Sequence, residues 1–133
     1  MPWTHEIRTG WLYNPAGARV DRGYAGGNCG LNPEGINNPD MQDKHDVGPL
    51  PVGRYTFGKP VEHTKLGIFA IPLIPDPANE MHGRGGFFMH GDKSAPPRSA
   101  SEGCPIHANA ARHAAWDSPD HDLDVVVDFV PTS

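Results

Sequence analysis

Short apolar runs separated by turn residues organise this chain. Trp11-Leu12-Tyr13 reads as a first strand closed by Asn14-Pro15-Ala16-Gly17, with residues 18–24 able to return as its hairpin partner. Arg54-Tyr55-Thr56-Phe57 predicts a strand with aromatics on one face. Residues 68–74 predict another, and Pro72, which lacks an N–H, argues for an edge position or a bulge there. Gly86-Phe87-Phe88-Met89-His90 predicts a strand in which Phe88 and His90 share a face. The clearest alternation runs over 122–130, where Leu123, Val125, Val127 and Phe129 face one way and Asp122, Asp124 and Asp128 the other. One helix is predicted over 107–116, Ala-rich and stopped by Asp117-Ser118-Pro119. Ala108, Ala111 and Ala115 would form its small-residue stripe against a sheet. Residues 25–51 predict a long loop, and a loop of that length in a small domain is a functional segment or a covering flap.

Composition sharpens this picture. Gly (16) and Pro (15) make up nearly a quarter of the 133 residues, which implies many turns between short strands. The expected class is mainly β, a β-rich α+β domain spanning residues 1–133 as one unit. A formal charge of −5 without a Lys/Arg cluster argues against a nucleic-acid face. The apolar stretch around 66–75 is too short for membrane insertion. The first residues carry neither a basic nor an apolar leader segment, so synthesis as a cytosolic chain without a signal peptide is expected. Eight histidines invite a metal site, but no His-Glu-x-x-His or Cys-x-x-Cys spacing is present, and neither metal nor cofactor is expected.

Candidate chemistry centres on one cysteine. Cys29 sits in a Gly-rich loop, whereas Cys104 sits in Ser101-Glu102-Gly103-Cys104-Pro105-Ile106, just ahead of the predicted helix. Their spacing leaves open whether the two pair or stay free. A cysteine nucleophile needs a base or a lowered pKa, some exposure and donors for an oxyanion. The helix N-terminus would favour a thiolate at Cys104. His90, at a strand end before Gly91, can present its ring beside the cysteine loop. The N–H groups of Gly103 and Cys104 can point into the site, while Pro105 has none to offer. Met-His-Gly occurs twice, so His82 competes with His90 as base; the apolar run leading into His90 favours the latter.

Phe88-Met89-His90-Gly91-Asp92 followed by Ser101-Glu102-Gly103-Cys104-Pro105-Ile106 resembles the active-site signature of the YkuD-type L,D-transpeptidases. Gly23-Tyr24-Ala25-Gly26, Asn37-Asn38-Pro39 and the run from Val47 to Tyr55 are similar to a shorter branch that includes type VI secretion effectors. The resemblance implies Cys104 as nucleophile, His90 as base, the Gly91 carbonyl as orienter of the imidazole, Ser101 as a loop-shaping or substrate-bonding residue, and Gly103 as the tight turn. Tyr24, Glu102 and Arg98 are the candidate substrate contacts, with Arg98 or Arg112 as a carboxylate clamp. Two positions depart from the pattern: Glu102 stands where a second His is commoner, and Pro105 follows the cysteine. A carboxylate at 102 would raise the thiol pKa if it points inward.

The implied reaction is cleavage of the L,D-bond of a peptidoglycan stem tetrapeptide through a Cys104 thioester, resolved by water (carboxypeptidase action) or by an amine (exchange or cross-linking). The implied biology is an antibacterial effector secreted into a rival's periplasm, with a cognate immunity protein as partner. The alternatives are a non-catalytic peptidoglycan-binding module and a cysteine hydrolase of other peptides.

Overall fold

The computed structural model describes residues 1–93 and 96–130. In chain order its elements are β1 (Trp3–Glu6), β2 (Trp11–Tyr13), β3 (Arg19–Arg22), β4 (Tyr24–Ala25), β5 (Gly53–Phe57), β6 (Val61–His63), β7 (Gly67–Pro75), β8 (Phe88–Met89), β9 (Pro105–Ile106), α1 (Asn109–Asp117) and β10 (Asp122–Val126). The fold is β-rich with one short helix, as the alternating runs predict. The main sheet runs β3-β2-β1-β10-β5-β7-β6, with β8 attached to β7, and β4 pairs with β9 in a separate two-stranded sheet. Only the β1–β10 pairing of the main sheet is parallel.

β1 is the strand that hydrophobic patterning does not reveal. Its Thr4, His5 and Glu6 are all buried. Glu6 accepts there from the Tyr13 hydroxyl (3.0 Å) and the Phe129 amide (2.7 Å), and His5 Nδ1 meets His107 at 2.9 Å. The predicted return strand over 18–24 is split, since β3 stays in the main sheet and Tyr24 leaves to pair with Ile106. The strand predicted over 122–130 stops at Val126. Leu123 and Val125 point inward as expected, and Phe129 still reaches the interior by packing on Tyr13, ring centroids 4.5 Å apart.

Pro72 lies inside β7 and not at a free edge. It sits where β7 changes partners, paired with Phe88, and its carbonyl accepts from Gly58 N–H at 2.8 Å. Phe69, three residues earlier, has a left-handed backbone (φ 52°) and stacks on His113 of α1 at 3.6 Å. The helix begins two residues later than predicted: Ala108 is its exposed N-cap, and the buried stripe is Ala111, Arg112 and Ala115. The core gathers Ile7, Leu12, Leu50, Tyr55, Ile71, Met89, Leu123 and Val125, each large side chain contributing about 1.5–3 kcal/mol on burial.

Residues 26–51 form the covering segment. It folds as three 3₁₀ turns, at Asn28–Gly30, Pro33–Gly35 and Pro39–Met41. Gly35 packs directly on the Val47 carbonyl, where a Cβ would come within 1.9 Å of the oxygen, so the coil closes only with glycine there.

Candidate functional site

Two strand ends bring the candidate pair together. β8 runs into His90, and β9 starts directly after Cys104. A parallel bridge joins them: His90 N–H donates to the Pro105 carbonyl (3.3 Å), and His107 N–H donates to the His90 carbonyl (3.0 Å). Cys104 and His90 line one cleft of about 290 Å³, together with Phe88, Arg84, Glu102 and Cys29. Both cysteines are free thiols.

The His90 ring has a fixed orientation. Its Nδ1 lies 3.0 Å from the Gly91 carbonyl oxygen. Only a protonated Nδ1 can donate to a carbonyl, so the neutral ring keeps its lone pair at Nε2. Burial pushes the His90 pKa down to about 4; the Gly91 bond opposes this shift and the Arg112 cation adds to it.

At Cys104, burial pushes the thiol up to about 11, the Phe88 amide 3.4 Å from Sγ pulls it back, and the Glu102 carboxylate adds to the rise. The pKa directions therefore favour a neutral thiol and a neutral imidazole, both lining the cleft, at neutral pH. This corrects the expectation of a helix-stabilised thiolate. β9 intervenes, and α1 begins only at Asn109, so Cys104 does not belong to the helix's first turn.

The loop around Cys104 is pinned by Ser101. Its fully buried hydroxyl accepts from Gly26 N–H (2.8 Å) and Gly103 N–H (3.0 Å) and donates to the Cys104 carbonyl (2.7 Å). Of the two roles expected for Ser101, the geometry fits loop shaping. It also corrects the oxyanion expectation: Gly103 N–H is already engaged, which leaves the amide of Cys104. Gly103 itself has φ +138°, and a Cβ there would lie 2.5 Å from Arg84 Nη2. Ser101→Ala would leave two buried N–H donors short of an acceptor and is expected to cost about 3 kcal/mol. Urea unfolding reads this directly; an unchanged midpoint would show that the loop does not depend on the hydroxyl.

Other expected contacts fall elsewhere. Tyr24 donates to Asp92 (2.6 Å) and accepts from the Ala100 amide (3.0 Å), while the Arg98 guanidinium lies over the Tyr24 ring at 5.4 Å. These two residues line a separate depression beside Asp21 and His107, not the Cys104 cleft. Arg112 is buried behind Gly91, close enough that a Cβ on Gly91 would sit 3.0 Å from Nη1, so it is not a clamp open to substrate. His82 is exposed and does not line the cleft. Glu102 does face the cleft, where it accepts from Lys65 (3.2 Å) and from the Cys29 thiol (3.5 Å); the Lys65 bond holds its carboxyl below the usual range.

Sequence reasoning missed Arg84. Its buried guanidinium donates to the carbonyls of Gln42 (2.8 Å), Pro49 (2.8 Å), Gly48 (3.0 Å) and Glu102 (3.2 Å). Its setting among Gly and polar residues gave no signal, because its partners are all backbone oxygens. Among the described residues, no three His, Cys, Asp or Glu side chains gather as metal ligands, and no helix is long and apolar enough to cross a membrane.

Fold and site together define a β-rich protein whose cleft sets the Cys104 thiol and the tautomer-fixed His90 imidazole on adjoining strand ends, with Cys29 on the same lining. The Tlde1 domain model matches residues 27–127, which is most of the chain. The chain belongs to that family of type VI secretion effector domains. No curated protein and no solved structure matches the chain.

Proposed function

We propose that the protein is a cysteine-dependent peptidoglycan-modifying enzyme, an L,D-carboxypeptidase and/or L,D-transpeptidase acting on stem tetrapeptides, with chemistry of the YkuD type. The observation that carries this reading is the shared cleft of Cys104 and His90, in which the Gly91 carbonyl holds Nδ1 and leaves Nε2 as the base. As Sγ attacks the carbonyl carbon on the L-centre side of the L,D-bond, the thiol proton passes to His90 Nε2. The C–N bond breaks, and the imidazolium returns that proton to the departing amine of the terminal D-residue. Water or an acceptor amine then attacks the thioester, again deprotonated by His90, and the Cys104 thiol is regenerated. No separated thiolate is required, in keeping with a thiol pushed up to about 11 and an imidazole pushed down to about 4.

Membership of a type VI effector family supports delivery into the periplasm of a rival cell, with a cognate immunity protein in the producer. Incubation with purified disaccharide tetrapeptides should release the terminal D-amino acid, seen by mass analysis as tripeptide or exchanged product. Intact tetrapeptide after prolonged incubation would leave a non-catalytic wall-binding module as the better reading.

A further inference from the structure

Outside the cleft, three side chains form a chain whose hydrogens, with both rings kept neutral by burial, can be placed in only one way. The Asp21 Oδ2 lies 3.0 Å from His107 Nδ1 and 3.0 Å from the Ala108 amide nitrogen. A carboxylate accepts from both, so His107 Nδ1 carries its hydrogen and Nε2 is an acceptor. That Nε2 is 2.9 Å from His5 Nδ1, which must therefore donate. His5 Nε2 is left as a bare lone pair, and it is indeed a buried atom without a partner. Both rings are inaccessible to solvent, while Asp21 is partly exposed (24%).

The chain connects three elements: β3 through Asp21, β1 through His5, and the β9–α1 junction through His107. His107 is also the residue whose amide donates to the His90 carbonyl, and Cys104 lies three positions upstream on the same segment. Locking its ring therefore fixes the segment that carries the nucleophile against the strand end that carries the base. Gly23 allows this approach, since a Cβ there would lie 1.6 Å from the Ile106 carbonyl oxygen and 2.9 Å from His107 Nδ1. The charged or titratable groups facing His107 are Asp21 from β3, His5 from β1 and Arg112 from α1. His5 and Asp21 both precede the segment matched by the family model.

We propose that Asp21, His107 and His5 form a positioning relay for the Cys104–His90 pair: the Asp21 carboxylate sets both imidazole tautomers, and the locked His107 ring holds β9 in register with His90. A buried polar chain of this kind adds little net stability compared with apolar packing of similar volume. Beside a reacting pair it fixes geometry, where a misplacement of about 1 Å can cost about 100-fold. The proposal rests on the catalytic reading of Cys104 and His90 given above.

The test uses the full chain as wild type, His107→Phe, His107→Asn and Asp21→Asn. Three quantities are read: site-resolved alkylation of Cys104 by iodoacetamide, kcat and KM on disaccharide tetrapeptide, and the urea midpoint. In His107→Phe both the alkylation rate and kcat should fall about 100-fold with KM nearly unchanged. His107→Asn, whose amide can donate to Asp21 from the Nδ1 position, should recover part of both. Asp21→Asn should lower both without His107 being touched. A folded His107→Phe with wild-type alkylation and kcat overturns the relay. If that variant does not fold, Asp21→Asn decides on the same two readouts, and wild-type values there overturn the relay equally. A wild-type protein inert towards tetrapeptide would instead refute the peptidoglycan reading, and the alkylation rates would still decide the relay.

Discussion

Cys104→Ala should abolish release of the terminal D-residue from muropeptides, with a loss on the order of 10⁴-fold or more, because no second nucleophile is placed to replace the sulfur. Cys29 lines the same cleft, but its thiol is committed to Glu102 at 3.5 Å, and burial raises its pKa, as do the bond to Glu102 and that residue's charge. Folding should survive, since Cys104 only partly buries a small side chain against the core; about 1 kcal/mol is the expected cost. His90→Ala should be nearly as damaging: with the thiol pushed up to about 11, very little thiolate forms unless a base takes the proton during attack. Muropeptide turnover and a melting curve on each variant separate chemistry from folding. Turnover persisting in Cys104→Ala would remove the thioester from the mechanism altogether.

Acid should unfold this protein at an unusually high pH. His5, His90 and His107 are all buried with pKa values lowered, in each case mainly by burial. The folded state therefore keeps them neutral where the unfolded chain, titrating near 6.5, takes up protons. Stability is fully present above about pH 6.5 and falls as the pH drops towards the folded-state values, by about 1.4 kcal/mol per pH unit for each histidine. For His90, lowered to about 4, the window between 6.5 and 4 corresponds to roughly 3 kcal/mol. His5 and His107 add to the slope. Against a typical total of about 5–15 kcal/mol, these losses place acid unfolding above the range in which carboxylates usually dominate it. Activity should accordingly end through unfolding, before His90 itself is protonated in the fold. A series of urea midpoints from pH 7.5 to 4.5 reads the slope, and a flat profile between 7 and 5 would show that the histidines do not remain neutral in the folded state.

The sequence made the fold class legible where one face of a strand is apolar, as at Leu123 and Val125 or Tyr55 and Phe57. It failed at β1, because Thr4, His5 and Glu6 are buried by partners distant in sequence, and no periodicity encodes a partner. The Cys104 and His90 placement was legible because strand ends and glycines mark it locally. The electrostatic setting was not. Reading Pro105-Ile106 as a lead into the helix hid the short strand that separates Cys104 from α1. Tyr24 and Arg98 were misplaced for a related reason: the pairing of Tyr24 with Ile106 turns both residues to another face, and that depends on tertiary pairing alone.

The Arg84 guanidinium has one further consequence. Its carbonyl partners belong to the covering segment (Gln42, Gly48 and Pro49) and to the nucleophile loop (Glu102). The Cys29 amide donates to Ser101 O (3.0 Å) and the Leu50 amide to Gly103 O (2.9 Å), so backbone bonds reinforce the same seam. The two segments are therefore not a lid and a wall with separate mobilities. Lifting either one would strand a buried cation, so separating the two segments carries the cost of an unpaired guanidinium.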